Sequence, residues 1–150
     1  MIRSPVSTRD DPALQTAAAE MAREALSRGQ PFTFTALGAS MRPYLRHGDQ
    51  VTIAPLSAPP KLGEVVLLDV GELGIVHRVI CALPGGRVCV KGDALPTIDG
   101  WFEAHQILGR VITLRRQGRV MRQGRYDAVA VSVIGGLARR IRNRVQRQST

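Results

Sequence analysis

A serine, a histidine and two aspartates are spaced through the middle of this 150-residue chain in a way that suits acyl transfer. Ser40 lies in Gly38-Ala39-Ser40-Met41-Arg42-Pro43, followed by Leu45 and by Gly48-Asp49. A serine just beyond a β-run and a glycine sits where backbone N–H groups lack ladder partners. An exposed hydroxyl and an oxyanion-binding amide can then be presented together, and Pro43 fixes the chain direction after them. His77 stands alone as a polar group in Gly74-Ile75-Val76-His77-Arg78-Val79-Ile80. Such a run predicts a half-buried strand, and burial favours the neutral imidazole that a general base requires. Asp93 and Asp99 follow in Lys91-Gly92-Asp93-Ala94-Leu95-Pro96-Thr97-Ile98-Asp99, a loop after a strand. Either carboxylate can hold His77 in one tautomer and stabilise its cation; loop capping is the structural alternative. Asp99 fits the orienting role, whereas Asp93 follows a glycine in a turn and can serve to fix the loop. Taken singly, a turn serine, a core histidine and a loop aspartate are ordinarily structural. It is their combination that points to chemistry.

The elements that must position these residues are mostly short β-runs with turn punctuation. Before them, Asp11-Pro12 is a helix-start signal. Leu14, Ala17, Ala18, Met21 and Ala25 recur at helical spacing as an apolar face, and Gly29 ends a helix predicted over 12–28. Strands are predicted at Phe32–Ala36, Gln50–Ala54, Glu64–Val70, Ile75–Leu83, Arg87–Lys91, Ile107–Arg116 and Val120–Gln123, with a loop from Gly92 to about Glu103. Sequential runs joined by short turns favour antiparallel pairing. The expected architecture is mainly β: a compact antiparallel body over 31–125. A flexible lead and docking helix precede it over 1–30, and a basic amphipathic helix follows over 126–150.

The ordered boxes GxSMxPxLxxGD, LGEVV, HRV and KGD with a later Asp resemble the signal peptidase / LexA-like serine peptidases, over about Phe32 to Arg116. The HRV form is similar to the archaeal, endoplasmic-reticulum and sporulation-type signal peptidases. These use Ser and His with an acid, where other members place a lysine. The resemblance implies a LexA C-terminal-domain-like fold, Ser40 as nucleophile and His77 as base. It implies Asp99 as third member and Asp93 as the acid of the KGD box. It further implies an extended peptide or protein substrate bound as an added strand, with small residues before the cut and Gly38, Ala39 and Met41 beside it. The chain departs from the family in three ways. Gly38 replaces a hydroxyl that often donates to the oxyanion, a membrane anchor is not expected, and 77–93 is a hairpin where some bacterial enzymes carry a second β domain. A second reading therefore stays open: a non-catalytic or self-cleaving LexA-like regulatory module, although no helix-turn-helix precedes the β body.

Charge and composition narrow the partners. The net charge is +9, but residues 110–147 carry 11 Arg and one acid, Asp127, so the remainder is nearly neutral. By charge alone such an arm suits anionic lipid, nucleic acid or an acidic partner, its amphipathic composition suits an anionic membrane surface, and a solvated surface is the plain alternative. Aromatics are only 4%, too few to stack on bases, and the body is not basic, so nucleic acid is not expected. No secretory signal or membrane-spanning run is expected. The expected place is the cytoplasm, peripherally at the membrane where the arm engages lipid. No cofactor or metal is called for, since His105 has no ligand partner at useful spacing and His47 lies in a turn. Lys61 sits in a Pro-rich link and Lys91 belongs to the KGD box, which disfavours a Ser–Lys dyad. Cys81 and Cys89 flank the Pro84-Gly85-Gly86 turn symmetrically, a placement that lets them face each other, and are expected as two buried thiols.

Overall fold

The computed structural model of the chain describes residues 12–71, 74–121, 141 and 143–147. The expected lead, the Asp11 cap and nearly all of the expected basic helix lie outside them; of the latter, 143–147 are helical. The described chain is a mainly antiparallel β protein. A helix, α1 (Pro12–Ser27), precedes β1 (Phe32–Thr35), β2 (Gln50–Ala54), β3 (Val65–Asp69), β4 (Gly74–Ala82) and β5 (Val88–Lys91). β6 (Gly100–Phe102), a short 3-10 turn at Ala104–Gln106, β7 (Ile107–Arg116) and β8 (Arg119–Met121) complete it. Among the described residues no helix is long and apolar enough to cross a membrane.

The strands form one sheet in the order β1-β2-β7-β3-β4-β5-β6, with β8 paired to β7, and every pairing is antiparallel. Sequential pairing accounts for β1–β2, β3–β4, β4–β5, β5–β6 and β7–β8. The exception is the ten-residue β7, which returns between β2 and β3. The region expected as a loop from Gly92 to Glu103 ends in β6, a strand too short to show alternation.

Val65 to Leu68 of β3 are all buried because the strand has core on both faces. Val65 and Leu67 join a cluster with Ala22, Leu26, Met41, Tyr44, Leu45, Ile53 and Leu114. Val66 and Leu68 join a second with Val79, Val88, Val90 and Ile107. This is the period-two alternation of a pleated strand.

α1 docks with a different face from the one the spacing predicts. Ala19, Ala22 and Leu26 are buried, while Ala17 and Ala18 are exposed and Met21 is 60% exposed; the side chain of Leu14 lies outside the described residues. A run so rich in alanine has no bulky stripe to set its rotation. The phase is set instead by Leu26 in the core and by Arg23, which reaches Asp69 of β3 with two hydrogen bonds at 2.8 and 2.7 Å. The helix stops at Gly29, whose φ of 75° suits glycine. Gly29 N–H donates to Leu26 O and Gln30 N–H to Ala25 O, a Schellman cap.

Candidate active site

Two loops and a strand bring the chemical residues together. The β1–β2 loop carries Ser40, β4 carries His77, and the β5–β6 loop carries Asp93 and Asp99. The β1–β2 loop is a folded turn with its own ties. Ala36 N–H donates to Asp49 O at 2.7 Å, and Gly48 N–H donates back to Ala36 O at 2.9 Å. Asp49 is buried and accepts from Arg116 Nε and Nη2 at 2.9 and 2.8 Å and from Arg46 N–H at 2.8 Å. Burial pushes its pKa up, but the Arg116 bonds, the Arg46 amide and both guanidinium charges outweigh burial and leave it lowered. The Gly-Asp end of the serine box is thus a structural anchor.

Within this frame Ser40 Oγ stands 3.1 Å from His77 Nε2, and His77 Nδ1 stands 2.5 Å from Asp99 Oδ2. The imidazole is 7% exposed and the Asp99 side chain 21%. With Nδ1–H donating to the carboxylate, Nε2 is left as acceptor for the serine hydroxyl, the tautomer a general base needs. Among the described residues none accepts a hydrogen bond from the Ser40 N–H. Gly38, at φ 84°, donates its N–H to His47 Nδ1 at 3.4 Å. Ala39, between Gly38 and Ser40, is exposed.

Asp93 is not at the histidine. Its carboxylate accepts from Arg78 Nε and Nη2, both at 2.8 Å. Arg78 is fully buried, donates Nη1 to Gly63 O at 2.8 Å, and stacks 4.7 Å from the Tyr44 ring centroid. A buried guanidinium needs such a partner, because breaking the pair strands a charge in the core at a cost of about 3–5 kcal/mol. Asp93 therefore pins the β5–β6 loop to β4, and Asp99 alone of the two acids reaches His77. Sequence reasoning passed over Arg78, although an arginine in an apolar strand demands a carboxylate somewhere.

The pinned loop in turn supports the serine. Ala94 N–H donates to Ser40 O at 3.0 Å. Gly92 is packed so closely that a Cβ there would lie 2.7 Å from Ser40 O, 2.9 Å from Leu95 Cδ1 and 3.0 Å from His77 Nε2. The glycine is required by this close approach, a signal that only three dimensions supply.

Met41 departs from the expectation that it borders the substrate. It is 2% exposed, packs in the core under the loop, and accepts the Asp93 N–H at its sulfur at 3.4 Å. The residue after an outward-facing serine here turns inward, which anchors the loop and removes its side chain from the surface. Of the remaining candidates, Lys91 Nζ donates to Gly92 O at 3.1 Å, and His47, Lys61 and His105 are exposed. Among the described residues no group of three or more His, Cys, Asp or Glu side chains is placed to hold a metal ion. Comparison of the chain with protein-family models and with curated proteins finds no match.

Proposed function

We propose that this chain is a serine endopeptidase of the signal peptidase / LexA-like kind, cutting a leader or a specific protein substrate through an acyl-enzyme. The reading is carried by one observation, the line Ser40 Oγ–His77 Nε2–Asp99 Oδ2 at 3.1 and 2.5 Å. His77 takes the Ser40 proton as Oγ attacks a peptide carbonyl. The Ser40 N–H donates to the oxyanion that forms, and Asp99 holds the imidazole and stabilises its cation. His77 then protonates the leaving amine, and water, activated by the same imidazole, releases the acyl group.

The substrate is read as an extended chain laid beside β1. Among the described residues that strand is an edge of the sheet, the place where a further strand adds, and it leads directly into the Ser40 loop. With Gly38 and Ala39 preceding the nucleophile, little bulk crowds the approach from this side. The proposed location is cytoplasmic, with the arginine-rich C-terminal segment resting on an anionic membrane surface.

The test is digestion of a diverse peptide mixture with sequencing of the new termini. The wild-type protein is expected to generate termini that share small residues before the cut, and Ser40→Ala to generate none. Identical termini from both proteins would defeat the proposal.

A further inference from the structure

The cysteines stand outside the chemistry proposed above, and their placement carries an argument that does not depend on it. Cys81 of β4 and Cys89 of β5 are partners in the antiparallel register. Directly opposed residues in such a pair project to the same face, and both lie in one apolar cluster with Ile80. Leu62, Leu83, Trp101 and Ile141 pack against that cluster. The two residues are thiols, at 2% and 0% exposure. Opposed antiparallel residues have Cα atoms about 4.5–5.5 Å apart. A disulfide spans about 4.4–6.8 Å.

We propose that Cys81 and Cys89 form a built dithiol, a modification site that an oxidant of the peroxide class closes to an intrachain disulfide with β4 and β5 in their present register. The thiolate of one cysteine attacks a peroxide oxygen. The O–O bond breaks, a sulfenic acid forms, and one water leaves once protonated. The second cysteine attacks the sulfenic sulfur, the S–S bond forms, and the hydroxyl departs as a second water. Two thiols lose two electrons and two protons, and one hydrogen peroxide becomes two waters. The resolving thiol is already opposite the sulfenic acid, so this intramolecular step outruns dimerisation and further oxidation.

Burial, with Cys81 and Asp99 nearby, pushes the Cys89 thiol up to about 11. Thiolate is therefore scarce at neutral pH, and the pair closes slowly. The apolar cover favours a small uncharged oxidant over a bulky or charged one.

The experiment treats the reduced, folded full-length chain with hydrogen peroxide, then quenches, unfolds and alkylates it. Intact mass and a non-reducing gel are read together. The expected product is a monomer in which both cysteines escape alkylation together and the mass falls by two hydrogens. Its thermal midpoint should rise and return on reduction. In Cys81→Ser and Cys89→Ser the remaining thiol stays alkylatable or yields sulfenic acid or an interchain dimer, with no gain in midpoint. The proposal is overturned if the folded wild-type chain keeps both thiols under conditions that oxidise the unfolded chain. It is equally overturned if its cysteines are lost singly, to sulfinic acid or to dimers.

Discussion

Gly92→Ala is expected to disable the site while leaving most of the fold in place. The added Cβ would meet a backbone oxygen, Ser40 O, at 2.7 Å and the His77 Nε2 at 3.0 Å. Leu95 Cδ1, at 2.9 Å, ends a flexible side chain and can swing away. The other two atoms are held: Ser40 O by the Ala94 N–H at 3.0 Å, and His77 by Asp99 at 2.5 Å. Relief therefore requires the β5–β6 loop and the serine loop to separate by several tenths of an ångström. Overpacking of this kind costs about 1–3 kcal/mol of stability, and a weakened Ala94–Ser40 bond adds about 1 kcal/mol. The larger effect falls on the chemistry, because displacing reacting groups by about 1 Å can cost roughly 100-fold in rate. The assay is the second-order rate at which a fluorophosphonate labels the protein, measured beside a thermal melt. A loss of about 100-fold with a modest fall in melting temperature is expected. Near wild-type labelling by Gly92→Ala would show that this loop does not set the Ser40–His77 geometry.

Other expectations separate the two aspartates, the ion pairs and the arm. Asp99→Asn should fold normally and slow labelling by up to about 10⁴-fold. Asp93→Asn should instead lose about 3–5 kcal/mol of stability by stranding Arg78, and equilibrium denaturation of both variants checks the contrast. Asp69 is held below its ordinary pKa, chiefly by the Arg23 hydrogen bonds and against the opposing effect of burial. A carboxylate lowered in the folded state stabilises it above the unfolded pKa, about 4, and loses that contribution as pH falls through the folded value. Asp69→Asn should therefore narrow the stability difference between pH 7 and pH 3, and an unchanged slope in pH-dependent melts would contradict the pairing. The C-terminal arm should bring the protein down with anionic vesicles at low salt and release it at high salt, through attraction of about 1 kcal/mol per basic residue. Binding that ignores lipid charge, or survives deletion of 126–150, would remove the membrane role.

What the sequence could say about this fold follows from which forces are local. Alternation marks β2 and β7, and an apolar run bounded by turn residues marks β4, because each strand's pattern is written in its own residues. The return of β7 between β2 and β3 depends on which distant edges meet, and no local pattern encodes that. The rotation of α1 escaped for a related reason: six alanines leave the choice of face to Leu26 and to the Arg23–Asp69 pair, 46 positions apart. At the site, the boxes singled out Ser40, His77 and Asp99, and the structure brings these side chains within hydrogen-bonding reach of one another. The roles of Arg78, Gly92 and Met41 were not legible. They arise from contacts between β4, the β5–β6 loop and the serine loop, where burial and close approach decide what each residue does.

The most direct test of the peptidase reading is to map covalent modification by a fluorophosphonate on the folded protein. A single adduct is expected on Ser40, absent in Ser40→Ala. In His77→Ala it should be slowed by several orders of magnitude, and the double variant should be no worse than either single one. Labelling spread over several serines, or proceeding at an undiminished rate without His77, would contradict the claim that these two residues form a nucleophile and its base.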